Sequence, residues 1–238
     1  MSTRLVLTVA GREARSLVAS AVAQVAAALT LVVAGLLFVS ELSSLTQARL
    51  DGWFADAAVL LLFLAPVLAM RSIAEERRSG SLDVLLAGPV SRGSLVAGKF
   101  VGIFAVYLVI LAGTLLAPIL VTVWGDPDPG LLFGGYLGLL LLGAASIAIA
   151  LLASALSPHQ AIAAVTGFVL LLALWLLHGV SDSFAGTASH VIDRFGSTTY
   201  LPDFNRGLLR LEGVVYYVSV TTFALVATGQ LLVWQRRR

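Results

Sequence analysis

Cysteine is absent from the 238 residues, which excludes disulfides, thiolate chemistry and cysteine-based metal sites. Lysine occurs once, at Lys99, beside fourteen arginines, and charged residues make up only 12% of the chain. Soluble globular domains carry about a quarter, so this chain has too little charge to cover a water-facing surface. Disorder is excluded on the same ground, since it needs high charge and few apolar residues. The only histidines are His159, His178 and His190. His178 and Asp182 are four apart and can share a helix face, but two ligands do not make a metal site and no His-Glu-x-x-His run is present. Charge within the apolar runs is almost missing too. Asp56 is the one candidate, near the outer end of its run, whereas proton and ion relays normally place several such groups at depth.

What the chain does have is apolar residues, 59% of the total, with a mean hydropathy of +0.98. They fall in six runs, at about 17–40, 53–74, 100–124, 130–157, 161–180 and 214–234. Each reaches the ~20 residues a helix needs to cross ~30 Å of hydrocarbon. Backbone groups in lipid must bond within their own segment, so the runs are helices. The expected fold is an all-α integral membrane domain over residues 1–238, with no internal repeat. The first run is uncharged and too long for the apolar part of a cleavable signal.

The basic residues mark the ends of the runs. Eleven fall on one side, in the N-terminal segment, the loop between spans two and three and the C-terminal tail. Arg49, Arg194, Arg206 and Arg210 fall on the other. The positive-inside rule therefore puts both termini in the cytoplasm. A pI near 9.3 is topology here and no nucleic-acid surface. Trp53 and Trp124 at outer ends, and Trp234 at an inner end, suit interfacial anchoring. In the outer segment 181–213, Phe204, Leu208 and Leu211 recur at helical spacing with Arg206 and Arg210 off the stripe. That pattern predicts a short amphipathic helix in the outer interface.

The cytoplasmic loop 71–99 holds the most ordered pattern. The second span can continue through Glu75, Glu76, Arg77 and Arg78 until Gly80 breaks it. Ser79 or Ser81 can cap a new short helix with Asp83 in its first turn. That helix presents Leu82, Leu85 and Leu86 and stops at Gly88-Pro89. Ser91 can cap the helix that enters the third span. Leucines with charged flanks, held between two membrane rods, suit docking into a groove of another protein. The plainer reading is a solvated positive-inside loop.

These residues carry a family resemblance. Ala74-Glu-Glu-Arg-Arg-Ser-Gly-Ser-Leu-Asp-Val-Leu-Leu86, Pro89-Val-Ser91 and Gly98-Lys-Phe100 resemble the type-2 ABC exporter permeases, within them the gliding-motility-associated six-span group. Arg12-Glu-Ala-Arg-Ser16, Phe63-Leu-Ala-Pro66 and Phe204-Asn-Arg-Gly207 to Tyr216-Tyr217 extend the likeness, in order, over nearly the whole chain. Arg12 replaces the usual lysine and Leu82-Asp83 the common Leu-Glu, and both swaps keep charge. The resemblance implies a coupling helix at 81–87 seated in a partner ATPase, with Glu75, Glu76, Arg77, Arg78, Gly80, Ser81, Leu82, Asp83, Leu85 and Leu86 as the coupling residues. It implies an elbow helix over 1–16 on the inner leaflet, with Arg4, Arg12, Glu13 and Arg15 as its site residues and the three arginines available to headgroups. An outer gate would involve Phe204, Arg206, Gly207 and Leu208. Two ABC ATPase subunits would bind ATP and magnesium, and a second permease copy or a sister permease would complete a transporter in a bacterial-type plasma membrane. An auxiliary envelope protein is a further possible partner.

Other motifs argue less. Gly93-x-x-x-x-Gly98-Lys99 fits a phosphate-loop pattern, but Phe100 stands where magnesium needs Ser or Thr, and no strand precedes it. Small residues opening a helix, with Lys99 snorkelling to the inner surface, is the expectation. Ser146 and Ser154 lie in the fourth span without a His or Asp base. With Gly143, Ala144, Ala145, Ala150 and Ala153 they suggest close helix packing. Pro66, Gly113 and Pro118 are places where spans two and three can kink. The chain itself is therefore expected to be no enzyme. A stand-alone channel or secondary transporter, and a scaffold that recruits an ATPase without transport, remain as rivals.

Overall fold

The computed structural model describes residues 3–44, 51–81, 91–116, 118–119, 128–181 and 196–235. They are helical, with no strand among the described residues. In chain order the helices are α1 (Thr3–Val18), α2 (Ala21–Ser44), α3 (Asp51–Ala69), α4 (Ala74–Arg78), α5 (Arg92–Gly113), α6 (Pro129–Leu156), α7 (Gln160–Ser181), α8 (Leu201–Asn205) and α9 (Leu211–Gln235). Among the described residues, six segments are long and apolar enough to cross a membrane: α2, α3 continued through α4, α5, α6, α7 and α9.

The most buried span, α6, is the hub. It packs against α3, α5, α7, α8 and α9. Asp128 caps it by accepting from the Gly130 amide, and Pro129 occupies its first turn, where no amide partner is needed. Its small residues let neighbours approach, as expected. A Cβ on Gly143 would overlap the Tyr107 ring, and one on Gly135 would overlap Phe54. With no hydrophobic drive between helices in lipid, such close contact is what holds a bundle together.

At the base, α1 and α2 are separate helices, with the bend at Ala19–Ser20. The Gln24 side chain donates to the Val18 carbonyl at 2.8 Å, satisfying a group that the bend frees. α1 runs along α5. A Cβ on Gly98 would lie 2.7 Å from Val9 Cβ, and one on Gly102 would lie 2.7 Å from the Ala10 carbonyl oxygen. These two glycines, one helical turn apart, form the slot that seats α1. The third span begins at Arg92, eight residues before its apolar run, because Ser91 caps it: its side chain accepts from the Ser94 amide at 3.2 Å.

Three expectations are corrected. Trp53 is no interfacial anchor: it is 1% exposed, its indole N–H donates to the Ala34 carbonyl at 2.9 Å, and its ring packs on Phe54 and Tyr136. Burial with a satisfied N–H gains more contact than an interface position. Nor do Phe204, Leu208 and Leu211 share a stripe. The outer helix is only Leu201–Asn205 and ends at Gly207, whose φ is +75°. A Cβ there would also lie 2.9 Å from the backbone of Gly130. Phe204 is therefore buried inside the bundle, while Leu208 and Leu211 are exposed. Third, Lys99 does not snorkel, and its surroundings form the site described next.

Candidate functional site

The second span does not run straight into its charged end. α3 stops at Ala69, residues 70–73 form turns, and α4 resumes at Ala74. An interruption in a membrane helix frees backbone groups that must find other partners. Ser154 of α6 supplies one. Its hydroxyl oxygen accepts from the amides of Ile73 and Ala74, both at 3.1 Å, and donates to the Met70 carbonyl at 3.1 Å. The residue is fully buried. It is neither a nucleophile nor merely a small residue that permits packing: it braces the joint.

Lys99 supplies the other partner. It is 1% exposed, and its Nζ donates to the Ser72 carbonyl at 2.6 Å. The same ammonium lies 3.2 Å from Glu13 Oε2 and 2.9 Å from Glu76 Oε1. One cation thus joins α1, the joint below α3, α4 and α5. A close pair gains about 4 kcal/mol at an effective dielectric of 20, while desolvation costs several kcal/mol per ion. The two roughly cancel, so the cluster determines position more than it adds stability. It carries one excess negative charge, and Glu76 Oε2 and Ser72 Oγ have no hydrogen-bond partner among the described residues. A cavity of about 260 Å³ opens beside them, and Arg12 and Arg71 also line it. Arg71 donates to the Ser20 hydroxyl at 3.0 Å, tying this region to the α1–α2 bend.

The remaining residues of the charged run also contact the bundle. Gln160 at the start of α7 donates to Glu75. Arg77 reaches the carbonyls of Ala155 and Leu156 at the end of α6, at 3.5 Å each. Arg78 pairs with Glu75 at 3.6 Å on the surface. The hydroxyls of Ser79 and Ser81 both donate to the Glu76 carbonyl, and Gly80 with φ +73° closes the helix as expected. Leu82, Asp83, Leu85 and Leu86 lie outside the described residues, as does Asp182. On α1, Arg4, Arg12 and Arg15 are exposed, and Glu13 turns inward to Lys99. The Gly93–Lys99 stretch is continuous helix, so it forms no phosphate-cradling loop.

At the opposite end, Phe204 and Leu201 are buried against α6, and Asn205 donates to the Asp51 carbonyl at 3.4 Å. Arg206 and Leu208 are exposed, and Arg210 pairs with Asp203 at 3.3 Å. Among the described residues no three His, Asp or Glu side chains gather as metal ligands.

A family model for the ABC-2 family transporter protein matches residues 5–191. The chain belongs to the ABC-2 transporter family. The match runs from α1 into the segment after α7, so it takes in the joint, Lys99 and Ser154. No curated protein matches the chain. The protein is accordingly a multi-pass membrane permease of an ABC transporter, a class that is typically not itself catalytic and that partners ABC ATPase subunits.

Sequence reasoning assigned Glu13 and Glu76 to separate parts of the permease and missed that Lys99 joins them. The available signal was a lone lysine among fourteen arginines, following a glycine. Ser154 gave none, because its partners are backbone groups eighty or more residues away in the chain.

Proposed function

We propose that this permease is the membrane half of an ATP-driven exporter of the gliding-motility-associated group. Residues 81–87 form the helix that partner ATPases push. Two ATPase subunits, carrying ATP and magnesium, pair with two permease chains, either two copies or one copy and a sister permease. Both termini face the cytoplasm of a bacterial-type plasma membrane, in line with the positive-inside count.

The observation that carries the proposal is the Lys99 bridge between Glu13 and Glu76, the latter on α4, which precedes residues 81–87 in the chain. A push on 81–87 arrives at α4. Lys99 passes it to α1 and α5, while Ser154 keeps the joint at 70–73 registered on α6. Spans one to three then rock against the rest, alternating access to the two faces. The coupling energy comes from ATPase contacts that differ between the two states. α1 acts as the elbow helix, with Arg4, Arg12 and Arg15 toward headgroups, and the buried Phe204 with Gly207 shapes the outer gate.

Leu85→Asp tests this reading. It places a charge in the ATPase groove, and a buried unpaired charge there weakens docking. Membrane insertion is expected to survive, while ATPase co-purification and substrate-stimulated hydrolysis fall. If both match the parent chain, the 81–87 helix is not the coupling element.

A further inference from the structure

We propose that the cleft between α5 and α9 is a binding site for an anionic phospholipid, with Arg92 holding the headgroup phosphate and one acyl chain lying along the cleft. The proposal is independent of ATPase coupling. The two helices bound a cavity of about 460 Å³ near the end of the bundle that carries most of the arginines. Its walls are mainly aliphatic, with Val96 on α5 facing Leu225 and Val233 on α9. Thr222 adds little polarity, because its hydroxyl donates to its own helix at the Val218 carbonyl, 2.8 Å away.

Three observations select the occupant. The first is length. From Thr222 to Val233 the α9 wall covers twelve residues, about 17 Å of helix. One leaflet of hydrocarbon is about 15 Å deep, so the α9 wall is as long as an acyl chain's share of the membrane, with α5 lining its Arg92–Ala97 part. The second is charge. Arg92 and Gln230 both line the cleft, and neither 91–119 nor 213–235 contains a carboxylate. Among the described residues that line the cleft the guanidinium thus has no counter-ion, and a bidentate arginine suits a phosphate diester. The third is space. A Cβ on Gly229 meets nothing within 4 Å, so the floor of the cleft is open there. An alkyl chain fills such a gap without needing a polar partner.

Native mass spectrometry of the purified chain with equimolar phosphatidylglycerol and phosphatidylethanolamine tests the site. The parent chain is expected to retain phosphatidylglycerol preferentially. Arg92→Gln should reduce that preference about tenfold, the scale of one charge-assisted contact. Gly229→Leu, which fills the floor and favours helix, should abolish retention of both lipids. A parent chain with no preference, or an Arg92→Gln variant that keeps it, overturns the anionic-lipid selectivity assigned to Arg92. A Gly229→Leu variant that retains lipid as the parent does overturns the cleft. Efficient disulfide cross-linking of two Gly229→Cys chains also overturns it, because the cleft would then hold a second copy.

Discussion

The two ends of the bundle fix their helices by opposite means. At the arginine-rich end, Glu13, Glu76 and Lys99 hold α1, α4 and α5 through buried charge. At the other, Trp53, Phe54, Tyr136 and Phe204 fill the space between helices with rings, and Gly207 supplies the tight turn. Rings packed on glycines have one good arrangement, and they resist change because any shift opens a void. Ion pairs whose attraction and desolvation nearly cancel can exchange partners at little net cost. Under the proposed coupling, the charged end would rearrange while the ring-packed end stays in register.

The contrast can be broken most strongly at Lys99. Lys99→Ala leaves two buried carboxylates without their cation and is expected to cost about 3–5 kcal/mol, read as a lowered Tm in detergent. Adding Glu13→Gln and Glu76→Gln should recover most of that loss. If it does not, packing and not charge holds this end. Phe204→Ala should cost about 2–3 kcal/mol, below the ~3–5 usual for a deleted ring because lipid offers no hydrophobic drive. Its Tm shift should be indifferent to salt. Ser154→Ala leaves the Ile73 and Ala74 amides without their acceptor and should cost about 1–2 kcal/mol. Faster hydrogen exchange confined to 73–74 would place the weakness at the joint, whereas unchanged exchange there removes Ser154 as its brace. Arg78→Ala is the smallest, below about 1 kcal/mol, because its pair with Glu75 is mostly exposed. What effect it has should vanish at 1 M salt, unlike that of Lys99.

Much of this was legible in the residues alone. Six apolar runs gave the six spans, Ser91 and Gly80 marked helix ends that the structure keeps, and the Glu-Glu-Arg-Arg run pointed to the family. Those signals are local: hydropathy acts over one span and a cap over about four residues. Where the reading went astray, the deciding neighbour was remote. Lys99 was expected at the lipid surface because a lysine at a helix end usually reaches water, but Glu13 and Glu76 meet it first. Trp53 was expected at the interface, but the Ala34 carbonyl takes its N–H inside.

By itself, then, the sequence settled that this chain is a multi-pass membrane protein with six runs long and apolar enough to cross, because lipid forces every span to be apolar and to satisfy its own backbone. Only tertiary structure decided which charges meet and what braces the broken second span. Residues 13, 76, 99 and 154 come together through helix packing, and no spacing along the chain encodes that.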